Sequence, residues 1–88
     1  MTDIDLVQAI SVNLLRLAEW YYKDPEGNAV ICERYLDQSK KLSQQVKTPK
    51  AQPFLAKLQK LSLSDSSEHT AERFLTLGVL LQHPQAWI

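Results

Sequence analysis

Apolar residues recur along this chain at spacings of three and four, the repeat of one helix face rather than the alternation of a strand. Between residues 3 and 23, Val7, Ile10, Leu14, Leu17 and Tyr21 form such a stripe, flanked by Leu6, Ala18 and Trp20. Asp5, Gln8, Arg16, Glu19 and Lys23 lie largely away from it. Thr2 with Asp5 three residues later predicts a capping box, and Asp24-Pro25-Glu26-Gly27 predicts the stop. Val12, Leu15 and Tyr22 depart from this division. At about 100° per residue they fall among the polar positions, so the helix carries apolar side chains on its outer face as well.

A second helix is predicted over residues 28 to 47, with Ile31, Cys32, Tyr35, Leu36, Ser39, Leu42 and Val46 on one side and Glu33, Asp37, Lys40, Lys41, Gln44 and Lys47 on the other. Thr48-Pro49 and Gln52-Pro53 bracket a connector, because each proline biases the preceding residue away from helix. Phe54, Leu55, Leu58 and Leu61 then mark a short third helix of about nine residues. Asp65 with Glu68 is a second capping signature, with Ser64 and Ser66 as competing caps, and it opens a fourth helix that runs to residue 82. Its inward stripe is Ala71, Phe74, Leu75, Leu77, Gly78 and Leu81, with Thr70 at the edge. Gly78 costs about 1 kcal/mol of helix propensity relative to alanine, which implies another helix in close approach. Pro84 ends this segment, and Trp87-Ile88 should fold back on the bundle or bind something. The expected fold is all-α: a small four-helix up-and-down bundle with a short third helix, one domain over residues 1–88.

Composition agrees with that reading. Hydrophobic residues at 44% and charged residues at 23% are those of a chain that folds, and 2 Gly with 4 Pro leave too few turns for an all-β domain. The single cysteine, Cys32, has no disulfide partner within the chain and reads as a small buried hydrophobe, which suits a reducing compartment. The beginning of the chain carries Asp3 and Asp5 where a secretory signal has Lys or Arg, and Asn13, Arg16 and Glu19 interrupt the leucines that follow. A cytoplasmic protein with no membrane span is expected.

The zero net charge conceals segregation. Residues 1–37 hold seven acids and three bases, residues 38–64 six lysines and no acid, and residues 65–88 three acids and one arginine. Lys40, Lys41, Lys47, Lys50, Lys57 and Lys60 form a candidate basic patch for an acidic partner or for nucleic-acid phosphates. Nucleic acid is disfavoured, because the segment has no arginine and no interleaved aromatic, and the outward residues of the fourth helix (Asp65, His69, Glu72, Arg73 and Thr76) are mildly acidic.

No constellation for catalysis is evident, and neither a cofactor nor a metal is expected. Cys32 sits on an apolar stripe, the serines at 62, 64, 66 and 67 form a capping cluster, and two glycines make no phosphate loop. His69 between Asp65 and Glu72 reads as a solvated helix face. His83 beside Pro84 reads as a helix C-terminal cap. In size, four-helix plan and expected compartment the chain resembles small bacteriocin immunity proteins; the stretch Lys60-Leu61-Ser62-Leu63-Ser64 carries that likeness, which spans five residues and transfers no site residue. The informative positions are therefore Val12, Leu15, Trp20, Tyr22 and Trp87, apolar groups that either contact a second internal element or meet a protein partner, including a second copy in a homodimer. The expected function is a small noncatalytic protein–protein interaction or regulatory module, with weak nucleic-acid or acidic-partner binding through the lysine-rich 40–60 segment as the alternative.

Overall fold

The capping box expected at the start of the chain is formed: Asp5 N–H donates to the Thr2 hydroxyl at 3.1 Å, and Thr2 N–H donates back to the Asp5 carboxylate at 3.3 Å. It opens α1 (Asp3–Lys23), the longest helix in a computed structural model that describes residues 1–63 and 69–88. The expected caps Ser64, Asp65, Ser66 and Glu68 lie outside the described residues. The other helices are α2 (Ala29–Ser43), α3 (Gln52–Lys60, entered through a single 3-10 turn, Pro49–Ala51), α4 (Thr70–Leu80) and the short α5 (Pro84–Trp87). At about 1.5 Å per residue the 21 residues of α1 account for most of the 35 Å length of the molecule.

The topology is up, down, up, down. Asp3, in the first turn of α1, binds the backbone of Lys47 and Thr48, which places the α2–α3 connector at that end. Trp87, beyond α4, meets Phe54 at the start of α3 edge-on at 5.5 Å, so α4 also ends there. α1 is shared: it packs against α2 on one side and against α4 on the other, while α3 rests on α2. Val7, Ile10, Leu14 and Leu17 of α1, Cys32 and Leu36 of α2, Leu55 and Leu58 of α3, and Phe74, Leu77 and Leu81 of α4 form one buried cluster. Each lies on a stripe predicted from spacing.

The α1–α4 contact is close because α4 presents Gly78. A Cβ there would stand 2.9 Å from Leu15 Cδ2 and 3.3 Å from Leu14 Cβ. The buried Ser11 hydroxyl donates to the Gly78 carbonyl at 2.7 Å. Carbonyls in the last turn of a helix lack helical donors; Gln82 N–H turns to Val79 O, and Ser11 supplies the bond at Gly78.

Three predictions of detail are corrected. α2 ends at Ser43 rather than 47: the N–H groups of Gln44, Gln45 and Val46 bond three residues back, tightening the turn, and those of Lys47 and Thr48 go to Asp3. Leu75, expected inside, is 48% exposed. Helix α4 is rolled so that Thr70, Phe74, Leu77 and Leu81 face inward, and Leu75, about 100° round from Phe74, passes the seam. The tail folds back on the bundle, one of the two outcomes expected of it, but without His83 as a side-chain cap. His83 takes a left-handed backbone (φ 55), with no side-chain cap, and Pro84 starts α5, which returns Trp87 and Ile88 to the core edge.

The Asp3 carboxylate accepts from Lys47 N–H at 3.0 Å, Thr48 N–H at 2.8 Å and the Thr48 hydroxyl. These bonds, the Thr48 hydroxyl first and the Lys47 N–H next, hold its pKa below the ordinary 3.8. A carboxyl with a depressed folded pKa contributes stability that is present above its unfolded value and is lost as pH falls through the folded one. Asp3→Asn should therefore lower stability at about pH 7, and the difference from the wild type should shrink as pH falls through the lowered folded pKa, as read by urea unfolding across a series of acidic pH values. Gly78→Val should cost about 1–3 kcal/mol by overpacking, whereas Gly78→Ala, resisted mainly by the flexible end of Leu15, should cost less in the same measurement.

Candidate protein-interaction surfaces

The five apolar positions singled out on α1 and the tail do not share one surface. Leu15 is half-buried and leans on α4 beside Gly78, so it belongs to the α1–α4 seam rather than to a free outer ridge. Val12, at 40% exposure, stays open next to it. Tyr22, a further two turns on, is 83% exposed. Trp20 is exposed, with the Lys23 ammonium 5.6 Å from its ring centroid, and its backbone carbonyl accepts from the Asn28 side chain at 2.8 Å. Trp87 is half-buried against Phe54, with its indole N–H donating to Gln82 O at 3.2 Å.

Two apolar features were not anticipated from spacing, and both come from α4. Leu75 and Val79, at 48% and 50% exposure, stand one turn apart on the flank of α4 that faces the Val12–Leu15 side of α1. Because α1 and α4 run antiparallel and touch at Gly78, Val79 falls beside Val12, and Leu75 beside Leu15. On the opposite flank, exposed Leu80 joins Leu77 and the half-buried Leu61, which follows α3, in an open groove of about 390 Å³, with Lys57, Glu72 and Arg73 along its walls. The available signal was crowding. Phe74, Leu75, Leu77, Val79, Leu80 and Leu81 are too many apolar residues within eight positions for one helix face.

The six lysines are unequal. Lys40 donates to the Leu61 carbonyl at 2.7 Å, satisfying the end of α3, and Lys41 pairs with Asp37 at 3.1 Å. Lys40 is half-buried, whereas Lys41 stays exposed despite its pair. Lys47, Lys50, Lys57 and Lys60 are exposed, on the connector and on α3. Gln59 seals α3 to α2 by donating to the Ser43 hydroxyl at 2.7 Å.

Groups with chemical potential are tied down. Cys32 is fully buried, its thiol directed at Leu17 O at 3.8 Å, and burial, with a smaller contribution from the Glu33 charge, pushes its pKa up. His69 contacts Glu72 at 3.2 Å on an exposed face. Among the described residues no cluster of His, Cys, Asp or Glu is arranged to hold a metal, and no helix is long and apolar enough to cross a membrane. Cys32 should react with a thiol reagent only as fast as the protein opens, so its labelling in native buffer should be far slower than in urea; equal rates would mean an exposed thiolate.

No protein-family model, curated protein or solved structure matches the chain, so its surfaces alone bear on its function.

Proposed function

We propose that this chain is a small noncatalytic protein–protein interaction module, working in a reducing, cytoplasmic setting, and that two copies associate through the apolar face shared by α1 and α4. The observation that carries the reading is the continuity of Val12, Leu15, Leu75 and Val79 across the helix crossing, three of them at least 40% exposed. Exposed apolar groups scattered singly need no explanation, but a contiguous face built from two helices leaves apolar area in water at about 25 cal/mol per Å². A second copy suits it because a two-fold pairing sets the face on its twin and needs no charge complementarity. The noncatalytic part is supported by the buried, raised-pKa thiol of Cys32, the one strong nucleophile in the chain.

Sedimentation from about 10 μM to 1 mM should reveal a reversible dimer whose affinity changes little with salt. Val79→Glu should yield a monomer with unchanged helical circular dichroism, since that side chain is half in water already. A wild type that stays monomeric throughout the range would exclude self-association through this face.

A further inference from the structure

We propose that the groove between α3 and α4 is a docking site for an acidic amphipathic helix of a partner protein. This deepens the reading of the chain as an interaction module and does not depend on self-association. The groove floor is apolar: Leu61, just after α3, and Leu77 and Leu80 from α4. Leu80 is 45% exposed, so the floor reaches the surface instead of closing into a cavity. On the α4 side the lining runs from Glu72 to Leu80, eight residues or about 12 Å, which is slightly more than two helical turns. An open, straight, apolar trough of that length fits a helix presenting side chains at i, i+3 or i+4, and i+7.

The charge of the occupant follows from the α3 wall. Lys57 lines the groove and Lys60 is exposed one turn later, and neither has an ion-pair partner among the described residues. No acid occurs anywhere from residue 38 to 64, so nothing on α2 beyond Asp37, on the connector or on α3 offsets them. The opposite wall is mixed. Glu72 and Arg73 stand in the first turn of α4, and Glu72 already contacts His69 at 3.2 Å. An acidic helix therefore gains most with its carboxylates along α3 near Lys57 and its apolar edge on Leu77 and Leu80, away from Glu72.

The test uses the full chain and two fluorescein-labelled synthetic helices, both with leucine at i, i+4 and i+7, one with glutamate and the other with lysine at the flanking positions. The acidic peptide should raise fluorescence anisotropy to saturation and bind at least about tenfold more tightly than the basic one. Lys57→Glu and Leu80→Asp, each verified as folded by circular dichroism, should weaken the acidic peptide by about tenfold or more, and Val30→Glu, on exposed α2 surface, should leave it unchanged. Failure of the acidic peptide to bind at about 100 μM chain, equal binding of the basic one, or indifference to Leu80→Asp would overturn the proposal. So would loss of binding in Val79→Glu alone, which would move the site to the α1–α4 face, dissociation of a dimer by Leu80→Asp, which would assign the groove to a second copy, or binding of laurate in place of the peptide. A monomeric wild type in sedimentation leaves this proposal standing, and a dimer that ignores both peptides overturns it alone.

Discussion

The fold depends on α1 being used twice. It is the one helix that packs extensively against both α2 and α4, and it can do so because the two contacts draw on different edges of the same stripe. Leu6 and Asn13 lie toward α2, where Asn13 reaches Gln38, and Ser11, Leu15 and Ala18 lie toward α4. On the α4 edge the close crossing requires a residue with no side chain, and Gly78 supplies it at a cost in helix propensity of about 1 kcal/mol. The Ser11 hydroxyl at the Gly78 carbonyl makes that crossing specific in register as well as close, since sliding either helix by one turn would leave a buried hydroxyl and a last-turn carbonyl without each other.

Around this crossing, helix ends are tied by side chains from other segments. Asp3 holds the connector after α2, Asn28 closes α1 at Trp20 O, Lys40 closes α3 at Leu61 O, and Trp87 donates to Gln82 O beyond α4. In a small domain with no disulfide such bonds matter, because unmatched groups at helix ends cost free energy that a modest core cannot easily offset. Among the described residues no buried side-chain nitrogen or oxygen lacks a partner. The same bonds shape the surface: the Lys40 ammonium is drawn onto the Leu61 carbonyl, whereas Lys41, Lys47, Lys50, Lys57 and Lys60 remain exposed.

The surface readings follow from how α4 is seated. Its inward stripe is narrow, and the excess apolar residues emerge on both flanks, Leu75 and Val79 beside α1 and Leu80 beside α3. The first flank is the face we propose for a second copy, and the second, with Lys57 in its lining, is the one we propose for an acidic partner.

The main helices, the Thr2–Asp5 box and the apolar stripe that carries Cys32 were legible in the sequence, because each depends on residues within one or two turns of one another, and the glycine at 78 in an otherwise apolar helix signalled a close approach without naming its partner. The spacing of Leu14, Leu17, Phe74 and Leu81 determines an all-α core without any partner being named. What no local pattern contains is the roll of one helix against another. A rotation of some tens of degrees turned Leu75 out, drew Leu15 into the seam, and left Val79 and Leu80 facing water; all four are leucine or valine, so composition could not distinguish them. Long-range bonds were equally hidden: nothing near Asp3 indicates that its carboxylate will stop a helix more than forty residues away. Sequence alone determined the main helices and their apolar stripes, whereas tertiary packing decided where α2 stops and which apolar residues remain on the surface, because those depend on where the neighbouring segments come to rest.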